Sequence, residues 1–153
     1  MSAMSTVTVS HNFETGHRLP ILQGKCQNLH GHSWWVHVTV SVEEGPSTVV
    51  EFGLFKKHLR EWIDTHLDHG LMLGAEDPLA DLLPAYGKVF VFDPSDPAES
   101  LTHGLAWPTV ENVARLLSRV ADRTLHKITR ASGAHVSHVE VSETHVNKAG
   151  WSA

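Results

Sequence analysis

The strongest constraint in the chain is the alternation from His32 to Val42. Trp34, Val36, Val38, Val40 and Val42 fall on one parity, and Ser33, Trp35, His37, Thr39 and Ser41 on the other. A helix would scatter these valines around its axis, whereas a strand gathers them on one face. This stretch is therefore a half-buried strand. His30 and His32 continue the apolar parity, so two imidazoles reach the side that the rest of the fold must cover. Gly31 between them leaves room for a close backbone approach. Upstream, Thr6 to Phe13 alternates as well, with Val7, Val9 and Phe13 sharing a parity that His17 keeps. Two such strands read as an antiparallel pair.

A third imidazole from the neighbouring segment makes a cup of three nitrogens, His17, His30 and His32. Such a cup suits Zn²⁺ with one position left open, as in catalytic zinc sites. A bare His-x-His would by itself be two strand histidines; the third histidine and the nearby thiol point to a metal. Cys26, the sole cysteine, lies four residues before His30. Near a dication its thiolate is a base or nucleophile. The residue pattern leaves two other roles open, an inert thiol and a fourth ligand in a structural Cys-His₃ site.

Phe52 to Leu67 switches to helical period, with Phe55, Leu59, Trp62, Ile63 and His66 in one stripe and Gly70 placed as a terminator. Residues 74–107 hold many Pro and Gly around Val89–Phe92 and read as an excursion between two helices. A second helix is predicted from Val110 to Leu125, capped by Thr109, with Val113, Leu116, Leu117 and Val120 facing inward. Val136 to Glu143 alternates again, and a short strand is expected from Ala149. The order β-β-α-(insert)-α-β-β predicts an α+β domain spanning 1–153, with a four-stranded antiparallel sheet and two helices on one face.

Composition narrows the functions. A net charge of -5 without a Lys/Arg cluster excludes a basic nucleic-acid groove. No apolar run approaches a membrane span. One cysteine and an N-terminus with no apolar leader segment lead us to expect a cytoplasmic protein.

Two further groups could carry chemistry. Asp68-His69 sets a carboxylate beside an imidazole, but neighbours on a helix do not face each other, so pairing requires the helix to break there. Glu143 extends the parity of Val139 and Val141. Burying it is costly unless it meets a donor-rich partner, such as the amino-pyrimidine edge of a heterocycle; an exposed strand-end glutamate is the plain alternative. The remaining nine histidines are read as surface or core residues.

Taken together, His17, Cys26-x-x-x-His30-Gly-His32, Asp68-His69, Pro108-Thr109-x-Glu111-Asn112 and Ser142-Glu143-Thr144 resemble the 6-pyruvoyl-tetrahydropterin synthase / 6-carboxy-tetrahydropterin synthase family. The resemblance spans nearly the whole chain outside residues 74–107. It implies the tunnelling fold, ββααββ subunits whose barrel closes by oligomerisation into a trimer or hexamer, with sites at subunit boundaries. It also implies zinc on His17, His30 and His32, Cys26 as base, and Asp68 and His69 as proton relay. Glu143 and Thr109 would contact the pterin. The implied activity is that of a lyase on the side chain of 7,8-dihydroneopterin triphosphate. Its expected product is 6-carboxy-tetrahydropterin, on the route to queuosine-type 7-deazapurines. A 6-pyruvoyl-tetrahydropterin synthase and a dihydroneopterin-cleaving enzyme are the near alternatives. A zinc-stabilised oligomeric binding module without turnover is the alternative of another class. The family's usual Asp-Phe before the first helix is here Glu51-Phe52, and the insert adds residues at the mouth of the implied site.

Overall fold

The computed structural model describes residues 2–153. β1 (Met4–His17) and β2 (His30–Glu43) pair antiparallel along their whole length, from Met4 opposite Glu43 to His17 opposite His30. Both strands outrun the stretch of visible alternation, because their ladder continues through Gly16 and Gly31, which carry no side-chain signal. The close approach falls at Gly16. A β-carbon there would stand 2.6 Å from Leu71 Cδ2, against 3.6 Å from the nearest atom at Gly31. Phe13, Trp34, Val36, Val38 and Val40 are fully buried, as their parity requires.

Two long helices cover that face. In α1 (Phe52–His66), Phe55, Leu59 and Ile63 are buried, while Trp62 and His66 stack at a centroid distance of 4.4 Å on the flank. Glu51 caps this helix, its carboxylate accepting from the backbone N–H of Gly53 and Leu54. The longer acidic side chain thus fills the role of the Asp it replaces. A short α2 (Leu79–Leu82) follows, then α3 (Val110–His126), whose Val113, Leu116, Leu117 and Val120 are buried. Thr109 caps α3 by accepting from Asn112 N–H at 3.1 Å. No helix among the described residues is long and apolar enough to cross a membrane.

The expected four-stranded antiparallel sheet with two helices is corrected to a six-stranded mixed sheet with three helices. β3 (Gly70–Gly74) runs parallel to β1 through Thr15–His17, and β4 (Val89–Phe92) runs parallel to β3. β5 (His135–Ser142) and β6 (Lys148–Ser152) are antiparallel, giving the order β4-β3-β1-β2-β5-β6. Leu71-Met72-Leu73 is too short a run to display a period, yet Met72 and Leu73 are wholly buried beside β1. α2 supplies the crossover that two parallel strands need. Residues 74–107 are therefore largely structured, and their later part is pinned to α3. Arg119 donates to the Leu101 and His103 carbonyls, and Arg123 to the Glu99 carbonyl.

Two smaller differences have clear causes. The register of β5 against β2 slips between Thr39 and Val40, a bulge at Ser137 that buries Val136 together with Val139 and Val141 despite opposite parity. At the end of α1 the left-handed residue is His69 (φ 58), not Gly70. Its N–H donates to the Glu14 carbonyl at 2.6 Å, which fixes the turn against β1. Gly70 instead opens β3, where a β-carbon would meet the Lys88 carbonyl at 3.1 Å.

Candidate functional site

Pairing His17 with His30, and Thr15 with His32, places all three imidazoles at one end of the β1–β2 ladder. One ligand atom from each of His17, His30 and His32 lies within 4.8 Å of the others. Backbone carbonyls aim two of the rings. His17 Nδ1 lies 2.8 Å from the Pro108 carbonyl, and His30 Nδ1 lies 2.6 Å from the Asn28 carbonyl. A carbonyl can only accept, so each Nδ1 carries the proton and each Nε2 is left with a free lone pair. This arrangement orients histidines at metal centres. Trp34 stands edge-on to both His17 and His32, at 5.0 and 5.6 Å between centroids, and closes the floor of the cup.

Burial favours the uncharged form of His17 and of His32. Burial drives the pKa of His17 down to about 4, the Pro108 carbonyl opposes this, and the neighbouring His30 and His32 lower it further. Burial likewise lowers His32, against the pull of Glu143. His17 Nε2 is buried and has no hydrogen-bond partner. An orphaned buried lone pair is costly unless something electropositive meets it. Three imidazoles converging on such a point fit a borderline metal such as zinc.

Glu143 follows the end of β5, and its Oε2 stands 3.8 Å from Nε2 of both His17 and His32. It also lines a cavity of about 370 Å³ with Ser33, Trp35 and His37. Cys26 sits partly exposed in a 3-10 turn, Lys25–Gln27, and its sulfur is not among the ligand atoms grouped with the three imidazoles. The turn is tied back where Leu19 N–H donates to the Cys26 carbonyl at 2.7 Å. Thr109, at the cap of α3, directly follows the residue whose carbonyl holds His17.

Asp68 and His69 do meet, because the helix has already ended at His66. Asp68 Oδ2 lies 2.7 Å from His69 Nδ1, and Oδ1 accepts from Glu14 N–H at 2.8 Å. Burial pushes the Asp68 carboxyl up, but the Glu14 amide, the His69 ring and the Lys88 charge outweigh it and hold it below the usual carboxylate range. His69 Nε2 is thus presented outward, and the ring is 78% exposed. It borders a separate cavity of about 250 Å³ with Leu71, Leu83 and Tyr86. Among the described residues no hydrogen bond or ion pair joins this pair to the cup.

Asn28, Trp34 and Pro108 also belong to the site, and the sequence pattern does not single them out for it. The first and last act through main-chain oxygens, which no side-chain pattern reports. Trp34 is visible in the alternation only as a core residue. A concavity of about 430 Å³ between Glu99, Arg119 and Trp151 holds none of the site residues.

An α+β fold whose mixed sheet gathers three histidines at one end of a strand pair is a candidate metal-binding architecture, and comparison identifies its family. Residues 6–152 match the family described as 6-pyruvoyl tetrahydropterin synthase, and the chain belongs to that family. It is 37% identical over 68 residues to the 6-carboxy-5,6,7,8-tetrahydropterin synthase of Rickettsia typhi, a match covering 43% of this chain and 49% of that protein. The chain thus spans about half the length of the first such relatives it matches. The Aquifex aeolicus protein of the same name is 26% identical over 95% of this chain and 96% of its own. Among solved structures, an uncharacterized protein from Wolinella succinogenes shares the fold with a TM-score of 0.76 and 20% identity, over 99% of both chains. The 6-pyruvoyl tetrahydropterin synthase of Caenorhabditis elegans does so with a TM-score of 0.63 and 22% identity, over 99% of this chain and 97% of that one.

Proposed function

We propose that this protein is a zinc-dependent lyase that shortens the side chain of 7,8-dihydroneopterin triphosphate to give 6-carboxy-5,6,7,8-tetrahydropterin. The observation that carries the reading is the three-histidine cup with its orphaned, buried His17 Nε2. The names of the relatives support the substrate class and the product.

His17, His30 and His32 would hold the metal. Bound zinc would polarise the substrate's hydroxyl oxygens and acidify the adjacent C–H. Cys26, as thiolate, takes a proton from the substrate side chain. His69, with Nδ1–H held on Asp68, gives or takes a proton at Nε2. Elimination then expels triphosphate from the end of the side chain, and addition of water followed by carbon–carbon cleavage releases the two outer carbons as an aldehyde and leaves the carboxylate on the ring. Glu143 accepts the two adjacent N–H groups of the pterin edge, and Thr109 contacts the same ring.

The distance between the two halves of this machinery has a simple resolution in a homo-oligomer, a trimer or hexamer whose barrel closes between subunits. The Asp68–His69 pair of one subunit then faces the cup of the next. Such an enzyme would work in the cytoplasm on a small-molecule pterin, with neither nucleic acid nor membrane as partner.

Mass spectrometry of the product made by zinc-loaded protein from 7,8-dihydroneopterin triphosphate tests the reading. The expected product is the 6-carboxy compound. A 6-pyruvoyl product would assign the protein to the other activity, which the matched family's description favours. Cleavage of unphosphorylated dihydroneopterin alone would replace the substrate. Tight zinc binding with no turnover of any pterin would leave a binding module.

A further inference from the structure

Pterin anchoring alone does not account for where the Glu143 carboxylate lies. In the isolated subunit it points at the cup, with Oε2 at 3.8 Å from His17 Nε2 and the same 3.8 Å from His32 Nε2. These are not hydrogen bonds, which close to ~2.9 Å. His17 spends its one proton on the Pro108 carbonyl, so a lone pair on Nε2 faces a carboxylate oxygen across the gap. Two acceptors facing each other repel unless a cation sits between them. Two donor atoms sharing a tetrahedral zinc at ~2.1 Å stand ~3.4 Å apart, close to the separation seen.

We propose that Glu143 is a displaceable fourth ligand, its Oε2 completing the zinc shell in the substrate-free protein and leaving for the amino-pyrimidine edge when a pterin binds. The inference rests on the pterin reading for its second half only.

The local structure permits both positions. A tight turn fixes the Glu143 backbone, with Glu143 N–H donating to the Asn147 carbonyl and Thr144 Oγ1 accepting from Val146 and Asn147 N–H. The carboxylate itself has no hydrogen bond among the described residues, and its residue also borders the 370 Å³ cavity beside Trp35 and His37. The carboxylate is thus held at neither place by a hydrogen bond, on a backbone that the turn fixes. Recognition of the ring then opens the metal at the moment the substrate's side chain arrives.

The test uses the full-length protein loaded with Co²⁺, whose visible absorption reports its ligands, and 6-methylpterin, which lacks the side-chain hydroxyls that could coordinate metal. Binding of 6-methylpterin should change the cobalt spectrum of the wild type. Glu143→Gln should show a changed spectrum from the start, give no further response, and hold Co²⁺ about tenfold or more weaker in chelator competition. Glu143→Asp, which keeps the charge but falls short by one methylene, should lie between. Unaltered affinity and spectrum in Glu143→Gln would overturn the proposal, as would 6-methylpterin binding to the wild type without a spectral change. Failure of 6-methylpterin to bind the wild type at all would overturn the pterin reading and the exchange with it. Chelator competition would then still report ligation on its own.

Discussion

The three-histidine cup and the Asp68–His69 pair are both built from imidazoles, and the fold treats them in opposite ways. His17 is 1% exposed, locked at Nδ1 by a carbonyl, and neutral. His69 is 78% exposed and held at Nδ1 by a carboxylate. A carbonyl partner leaves the ring a neutral lone-pair donor, which a metal needs. A carboxylate partner fixes which ring nitrogen faces outward, which proton transfer needs. The cup is finished within one subunit, whereas the relay is oriented but has no wall in front of it. The two regions thus differ in the group that holds Nδ1 and in how far the ring is covered.

The widest separation between the two regions is expected from paired alanine variants. His17→Ala should weaken zinc binding by more than the ~10- to 100-fold typical of partners outside the ligand shell. His69→Ala should leave zinc affinity unchanged while turnover drops ~100- to 10,000-fold. Chelator competition and steady-state rates read the two effects. Zinc loss in His69→Ala would break the contrast.

Cys26→Ser sharpens it further. A thiol outside the ligand set should be dispensable for metal, so zinc stoichiometry should hold while turnover falls ~100-fold or more. Weakened zinc binding would instead restore a Cys-His₃ structural site.

Acid should unlock the cup in the metal-free protein. His17 stays neutral in the fold down to about pH 4, whereas the unfolded state protonates it near 6.5. Its stabilising contribution is therefore complete above pH 6.5 and is lost as the pH falls from there towards 4, about 3 kcal/mol in all. His11, buried with neither ring nitrogen bonded, acts in the same direction. Urea unfolding at pH 7 and pH 4.5 measures the loss. Equal stability at both would mean that His17 is protonated in the fold.

The smallest effect is expected at the cap of α3. Thr109→Ala removes the acceptor for Asn112 N–H and should cost ~1 kcal/mol in unfolding free energy. Because Pro108 is adjacent, zinc affinity should decline slightly as well, which a helix cap remote from the site would not produce.

Much of this is legible in the sequence because parity survives folding. His30, His32 and Trp34 share a face in the sequence and share it in the structure. Glu143 continues the parity of Val141, and its carboxylate does reach the covered side. The parallel strands β3 and β4 are illegible for lack of length: four or five residues carry no period, and their pairing is set by the distant β1. The reversal falls at His69 rather than at the expected Gly70 because a left-handed histidine, held by the Glu14 carbonyl, has no local signature. Burial of Val136 depends on a bulge that only the pairing with β2 reveals.

The bond between His17 and the Pro108 carbonyl spans 91 residues, and this gives the site a history. The three imidazoles lie within the first 32 residues, on two strands that pair with each other along their whole length. A polypeptide stopped before residue 108 would carry every imidazole of the cup, yet nothing would choose which nitrogen of His17 faces the ion. In refolding, then, the strand signal should rise before the protein acquires full affinity for zinc, and the interval between them is the time α3 takes to dock. On the metal-site reading, the imidazoles of the cup would be placed early and oriented late.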